Sequence, residues 1–158
     1  MRKLKLYLDT SFISHLHQLD APDKMEDTKS LWKDIRDGMY EAVISEVTAR
    51  ELLNAPEPKR AVMADYLLDA DFEILPVTSE VDELAQEIVR REILKPKSLD
   101  DCTHIACAIL SNCDIIVSWN FKHLVNYKTI NGVREIVVSR HYKPIDIYSP
   151  TMLLTGGF

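Results

Sequence analysis

The sequence predicts an α/β fold, a three-layer α/β/α sandwich around a mainly parallel sheet of roughly five strands. Short apolar runs alternate along the chain with longer segments of helical period. The run Ile115-Ile116-Val117 is apolar without interruption, as in a strand covered on both faces. The chain has 158 residues, 46 % of them apolar, which suits a single core that needs no disulfide or structural metal.

Each element has its own signal. Lys3 to Leu8 alternates Leu4, Leu6 and Leu8 with Lys3, Lys5 and Tyr7, a strand pattern. It stops at Asp9-Thr10-Ser11, short polar residues suited to capping the next helix. From about Lys24 to Tyr40, Met25, Leu31, Trp32, Ile35 and Met39 recur at helical spacing, and Gly38 marks the end. Ala42 to Ser45 is a short β-type run, and Ser45-Glu46 starts a helix that reaches Asn54. Pro56 and Pro58 break the chain. Lys59 to Ala70 is helical, with Val62, Met63, Tyr66 and Leu67 on one side. Phe72 to Val77 is the third strand. Ser79 is expected to cap a helix whose apolar face is Val81, Leu84, Ala85, Ile88 and Val89. Lys95 to Ser98 is a loop before a strongly apolar helix, Leu99 to Leu110. Asp114 to Ser118 is the fourth strand, and Ile136 to Ser139 is read as the fifth. On this reading residues 1–140 form the domain. Residues 141–158, with Pro144, Pro150, Leu153 and Leu154, form a C-terminal tail packed on it or at an interface.

The formal net charge of −6 argues against a passive nucleic-acid coat, since phosphate binding is driven by basic surface. It leaves a nuclease open, because divalent cations can mediate the phosphate contact. The three cysteines, Cys102, Cys107 and Cys113, are odd in number and lack a CxxC pair, so buried thiols are expected rather than disulfides or zinc. Charge interrupts the basic N-terminus before any long apolar region forms, so it does not read as a signal peptide. No uncharged run approaches the roughly 18 residues of a membrane span. A soluble, cytoplasmic protein without membrane contact is expected.

In a parallel sheet, chemistry gathers at the carboxyl ends of strands. Asp9 ends the first strand, Asp100 and Asp101 open the apolar helix, and Asn120 follows the fourth strand. Glu51 lies in the helix after the second strand. Each acid alone has an ordinary explanation: a helix cap for Asp9, the helix dipole for Asp100 and Asp101, a solvated helix face for Glu51. As a set they are less ordinary, because Glu51 precedes Leu52-Leu53 and Asp101 leads into Cys-Thr-His-Ile-Ala. Carboxylates crowded together repel unless a cation neutralises them, and oxygen-only donors select Mg²⁺ or Mn²⁺.

Four segments in order resemble the PIN-domain family, the small nucleases that include VapC-like toxins. They are Leu8-Asp9-Thr10-Ser11-Phe12-Ile13, Thr48-Ala-Arg-Glu51-Leu52-Leu53, Asp101-Cys-Thr-His104-Ile-Ala106-Cys-Ala108, and Asp114-Ile-Ile-Val-Ser118-Trp119-Asn120-Phe121. The resemblance covers about residues 4–140. It implies an Mg²⁺- or Mn²⁺-dependent endoribonuclease whose metal ligands are Asp9, Glu51 and Asp101. Asn120 would complete the catalytic set, with Thr10, Ser11, Ser118 and Asp100 in support. Many PIN domains carry Asp where this chain has Asn120, which lowers the negative charge of the site by one. RNA is the implied substrate, with Lys97, Lys122 and His123 placed to touch it. A toxin of this kind would pair with an antitoxin protein, and the apolar tail would serve that interface or a homodimer. His104 is read as a packed, hydrogen-bonded helix residue.

Three competitors stand beside this reading. A catalytically weak or inactive RNA- or protein-binding module on the same fold is the first. A phosphohydrolase of the haloacid dehalogenase type would need a second Asp two residues after Asp9, where the chain has Ser11. A dinucleotide site would need GxGxxG after the first strand, and none is present.

Overall fold

The computed structural model describes residues 2–155. β1 (Lys5–Leu8) leads into α1 (Thr10–Ser14) and a 3-10 turn (His15–His17), then α2 (Pro22–Arg36) and β2 (Glu41–Ser45). Next come α3 (Glu46–Leu53), α4 (Lys59–Leu68) and β3 (Glu73–Leu75). α5 (Ser79–Arg90), a second 3-10 turn (Pro96–Ser98) and α6 (Leu99–Leu110) precede β4 (Ile115–Val117). α7 (Tyr127–Ser139), β5 (Asp146–Tyr148) and α8 (Pro150–Thr155) follow.

The five strands form one sheet in the order β3-β2-β1-β4-β5, and every pairing is parallel. The chain therefore winds outward from β1 to β3, then crosses to the other side of β1 with β4. The winding reverses between β1 and β4. Their carboxyl ends flank the crevice where open α/β sheets place their ligands.

Register sorts the side chains into two cores. Tyr7 lies level with Val43 and Ile116, and these three point into the core shared with α5, α6 and α7. Leu6 lies level with Ala42 and Ile115, and Leu8 with Val117. These fill the opposite core with Phe12, Leu31, Trp32 and Met63. The alternation in β1 thus does not mark one wet face. Both faces are covered, and Tyr7, grouped by the sequence pattern with two lysines, is fully buried.

Side-chain caps set where helices begin. Asp9 accepts from Phe12 N at 3.0 Å at the start of α1, and Ser45 Oγ accepts from Val47 N at 3.2 Å at the start of α3. Thr78, not Ser79, caps α5, accepting from Val81 N at 3.2 Å.

The fifth strand is a correction. Ile136 to Ser139 lies in α7, and the sheet's fifth strand is Asp146–Tyr148. A short β-branched run has the same local appearance in a strand and in a buried helix. Here the longer pattern decides: Asn126 caps Thr129 N, and Val133, Ile136 and Val137 form one buried helical stripe. Among the described residues no helix is long and apolar enough to cross a membrane.

Candidate active site

Asp9 follows the last residue of β1 and is almost completely buried. Ser118, just beyond β4, donates from Oγ to Asp9 Oδ2 at 2.6 Å. Ser11 donates to Oδ1 at 2.7 Å and Phe12 N to the same oxygen at 3.0 Å. Ser11 Oγ also accepts from Trp119 N at 2.9 Å, and Ser118 Oγ accepts from Asn120 N at 2.9 Å. The loops after β1 and β4 are therefore sewn together by two serine hydroxyls. Burial pushes the Asp9 carboxyl above its ordinary value. His104 and the bonds from Ser118, Ser11 and Phe12 N recover part of that rise.

Glu51 approaches from α3. Its Oε1 accepts from Thr10 Oγ1 at 2.8 Å and lies 2.8 Å from His104 Nε2. A carboxylate only accepts, so Nε2 carries a proton there. The other ring nitrogen, Nδ1, sits 2.6 Å from the Tyr7 hydroxyl, which lies 2.7 Å from Ser45 Oγ. Burial pushes Glu51 up, but the hydrogen bond and charge of His104, with help from Thr10 and Arg50, leave it below its ordinary value.

Asp101 lies in the first turn of α6, one turn before His104. Its Oδ2 is 2.9 Å from His123 Nδ1. Burial raises its pKa, His104 and His123 act the other way, and the charge of Asp9 adds to the rise. Asn120 Oδ1 accepts from His123 N at 2.9 Å, which fixes that histidine beside Asp101. Asp100 does not join these residues. It is exposed and pairs with Arg50 at 3.1 Å. Consecutive helix residues point about 100° apart, so only one of the two acids can face the crevice.

The expected acids thus become neighbours through Thr10, His104 and the field of Asp9 on Asp101. They do not close onto one point. Among the described residues no group of three or more His, Cys, Asp or Glu side chains is close enough to hold a metal ion. In chemistry, the donor set fits a hard divalent cation. Asp9, Asp101 and Glu51 offer only oxygen, and burial pushes the carboxyls of Asp9 and Asp101 above their ordinary values.

Lys97, Lys122 and His123 line one cavity of about 290 Å³, and His123 links it to Asp101 through the 2.9 Å contact. A cavity of about 670 Å³ opens elsewhere, around Glu41 and Glu73 at the amino ends of β2 and β3, and contains none of the predicted site residues.

Two supporting residues escaped the sequence reading. Tyr7 looked like one polar member of an alternating strand. Its signal was a hydroxyl directly before Leu8-Asp9 in a run otherwise fit for burial. Thr28 in α2 accepts from Trp119 Nε1 at 2.7 Å and so holds the loop that carries Ser118 and Asn120. Nothing local in α2 marks it.

Comparison with known proteins agrees with this architecture. The PIN domain family model matches residues 6–122. No curated protein matches the chain. Among solved structures, VapBC2 from Rickettsia felis, bound to a DNA fragment from its promoter, is similar at TM-score 0.53 and 18 % identity. The match covers 75 % of this chain and 90 % of that one. VapC20 of Mycobacterium tuberculosis, described as a sarcin-ricin loop cleaving toxin, is similar at TM-score 0.59 and 17 % identity, over 75 % of this chain and 92 % of that one. At such identities the likeness is one of fold. The family model spans most of the chain, from β1 through the loop after β4 that carries Ser118 and Asn120, and on that match the chain belongs to the PIN-domain family.

Proposed function

We propose that the chain is an endoribonuclease that hydrolyses RNA phosphodiesters, with Asp9, Glu51 and Asp101 as ligands for Mg²⁺ or Mn²⁺. The observation that carries this reading is the placing of buried Asp9 at the end of β1, where the sheet reverses its winding, with half-buried Asp101 of α6 near enough to feel its charge. When bound, the cation would neutralise these carboxylates, engage the phosphodiester and activate water.

The chain's own residues hold the acids ready. Ser11, Ser118 and Phe12 N orient the two oxygens of Asp9. Thr10 and His104 orient Glu51, and His123 holds Asp101. Asn120 offers an amide beside them without adding charge. Hydrolysis in this class leaves a 5′-phosphate and a 3′-hydroxyl.

Similarity in fold to VapC20 and VapBC2 supports a toxin role with an antitoxin partner, and a homodimer is part of that reading. Cleavage of RNA with Mg²⁺ or Mn²⁺ tests the activity. Asp9→Asn is expected to abolish it while leaving the fold intact, since burial already disfavours the charged form of Asp9. Full activity in that variant, or activity that persists in EDTA, would overturn the proposal.

One observation favours a second reading, a catalytically weak or inactive RNA- or protein-binding module. Each acid has hydrogen-bond partners inside the chain, and no three of these groups converge. RNA binding without cleavage at saturating Mn²⁺ would select it.

A further inference from the structure

The cavity of about 290 Å³ beside Asp101 is lined by Lys95, Lys97, Lys122 and Lys128, with His123 and Thr129, over a floor of Ile93 and Leu94. Among the described residues no acidic side chain lines it. Among the described residues none of the four ammonium groups has a hydrogen-bond or ion-pair partner. Four unpaired cations around one hollow are unusual in a chain whose net charge is −6.

The hollow is built rather than incidental. One wall is the segment from Ile93 to Ser98, and the other is the start of α7 with the residues before it. Gly132 lets these walls meet. A Cβ there would come within 2.6 Å of Ile93 Cγ1, so only glycine admits the observed packing. Asn126 caps α7 by accepting from Thr129 N at 2.9 Å, and Thr129 Oγ1 donates to His123 O. His123 is thereby fixed between the hollow and Asp101, its Nδ1 2.9 Å from Asp101 Oδ2.

We propose that this hollow is a phosphate-sugar subsite for the RNA nucleotide that flanks the cleaved bond. The inference rests on the nuclease reading above. The volume lies at the small end of ligand sites, which run from about 300 Å³ upward, and so suits one nucleotide unit rather than a folded helix. Lysines act as mobile point charges toward phosphate oxygens and carry no sequence information, so the subsite sets the register of the strand and not its sequence. The flexible strand would pass from this hollow across His123 to the acids.

The test measures binding of a short, fluorescein-labelled single-stranded RNA in EDTA by anisotropy, as a function of salt. Neutralising the four lysines (Lys95→Ala, Lys97→Ala, Lys122→Ala, Lys128→Ala) is expected to weaken binding at least tenfold. It should lower the slope of log K against log salt by about 0.7 for each phosphate released. The matching Lys→Arg variant should restore both. A control with Lys3→Ala, Lys29→Ala and Lys33→Ala should leave the slope near that of the parent. An equal loss in the control, or no loss in the four-lysine variant, overturns the subsite. Failure of the nuclease reading looks different: the parent binds RNA through the lysines, yet neither Mg²⁺ nor Mn²⁺ produces cleavage.

Discussion

Ser118 donates to Asp9 across the boundary between β4 and β1, with Oγ 2.6 Å from Oδ2. Both side chains are buried, so the bond is shielded from water. Removing the hydroxyl by Ser118→Ala leaves one oxygen of a buried carboxylate without its donor. It also leaves Asn120 N without an acceptor. Groups that orient acidic ligands typically account for 10–100-fold in activity, and a fall of that size in RNA cleavage is expected. The stability loss should be about 1–2 kcal/mol by urea denaturation. Wild-type cleavage in this variant would show that Asp9 needs no orientation.

His104 joins three elements. Its two nitrogens reach Tyr7 on β1 and Glu51 on α3 from a buried position on α6. His104→Leu fills similar space but removes one hydrogen bond each from the buried Tyr7 hydroxyl, which keeps Ser45, and from the half-buried Glu51 carboxylate, which keeps Thr10. A loss of about 2–3 kcal/mol is expected, readable as a lower denaturant midpoint with an unchanged slope. Tyr7→Phe should cost less, about 1 kcal/mol, because only one hydroxyl is removed.

Asn120 tests the charge of the site. Asn120→Asp keeps an acceptor for His123 N while adding a carboxylate beside Asp101. More negative charge favours a bound cation. The Mn²⁺ concentration for half-maximal cleavage should fall several-fold, with little change in thermal stability when the cation is present. An unchanged Mn²⁺ requirement would remove Asn120 from the site.

Asp114 sits at the opposite end of β4 and has a structural task. It binds Arg2 through both oxygens at 3.0 and 3.1 Å, accepts from Lys5 N at 2.7 Å, and pairs with Lys143 at 2.7 Å. These partners hold its carboxyl well below the usual range, the Arg2 bond most of all, against an opposing effect of burial. A depressed folded-state pKa means stability that is present above the ordinary Asp value and lost as pH falls below it. Asp114→Asn should therefore cost on the order of 1 kcal/mol at neutral pH, after allowance for solvent screening. The gap should close below about pH 4, where the wild-type carboxyl begins to protonate in the unfolded chain. A constant gap from pH 7 to pH 3 would contradict this assignment.

Much of the architecture was legible in local pattern. Leu99 to Leu110 matches α6 residue for residue, because its apolar period and the acids of its first turn agree. The misplaced fifth strand shows the limit. Ile136-Val-Val is β-prone, but its place in the stripe with Val133 and the cap at Asn126 made it helix. Asp146-Ile147-Tyr148, a run of three residues, became strand because β4 offered a free edge beside it.

The sequence by itself determined which residue types were available: acids placed after apolar strands and at the start of an apolar helix, and an amide at Asn120. Only the tertiary structure decided which of them meet. Ser118 reaches Asp9 over a separation of 109 residues because the sheet order sets β4 directly beside β1. Asp101 faces the crevice while Asp100 faces solvent, because the rotation of α6 is set by burying Cys102, Ile105 and Ile109. Spacing along a chain encodes the period of an element. The contacts between elements come from how their buried faces pack, and the local pattern around any one acid does not contain them.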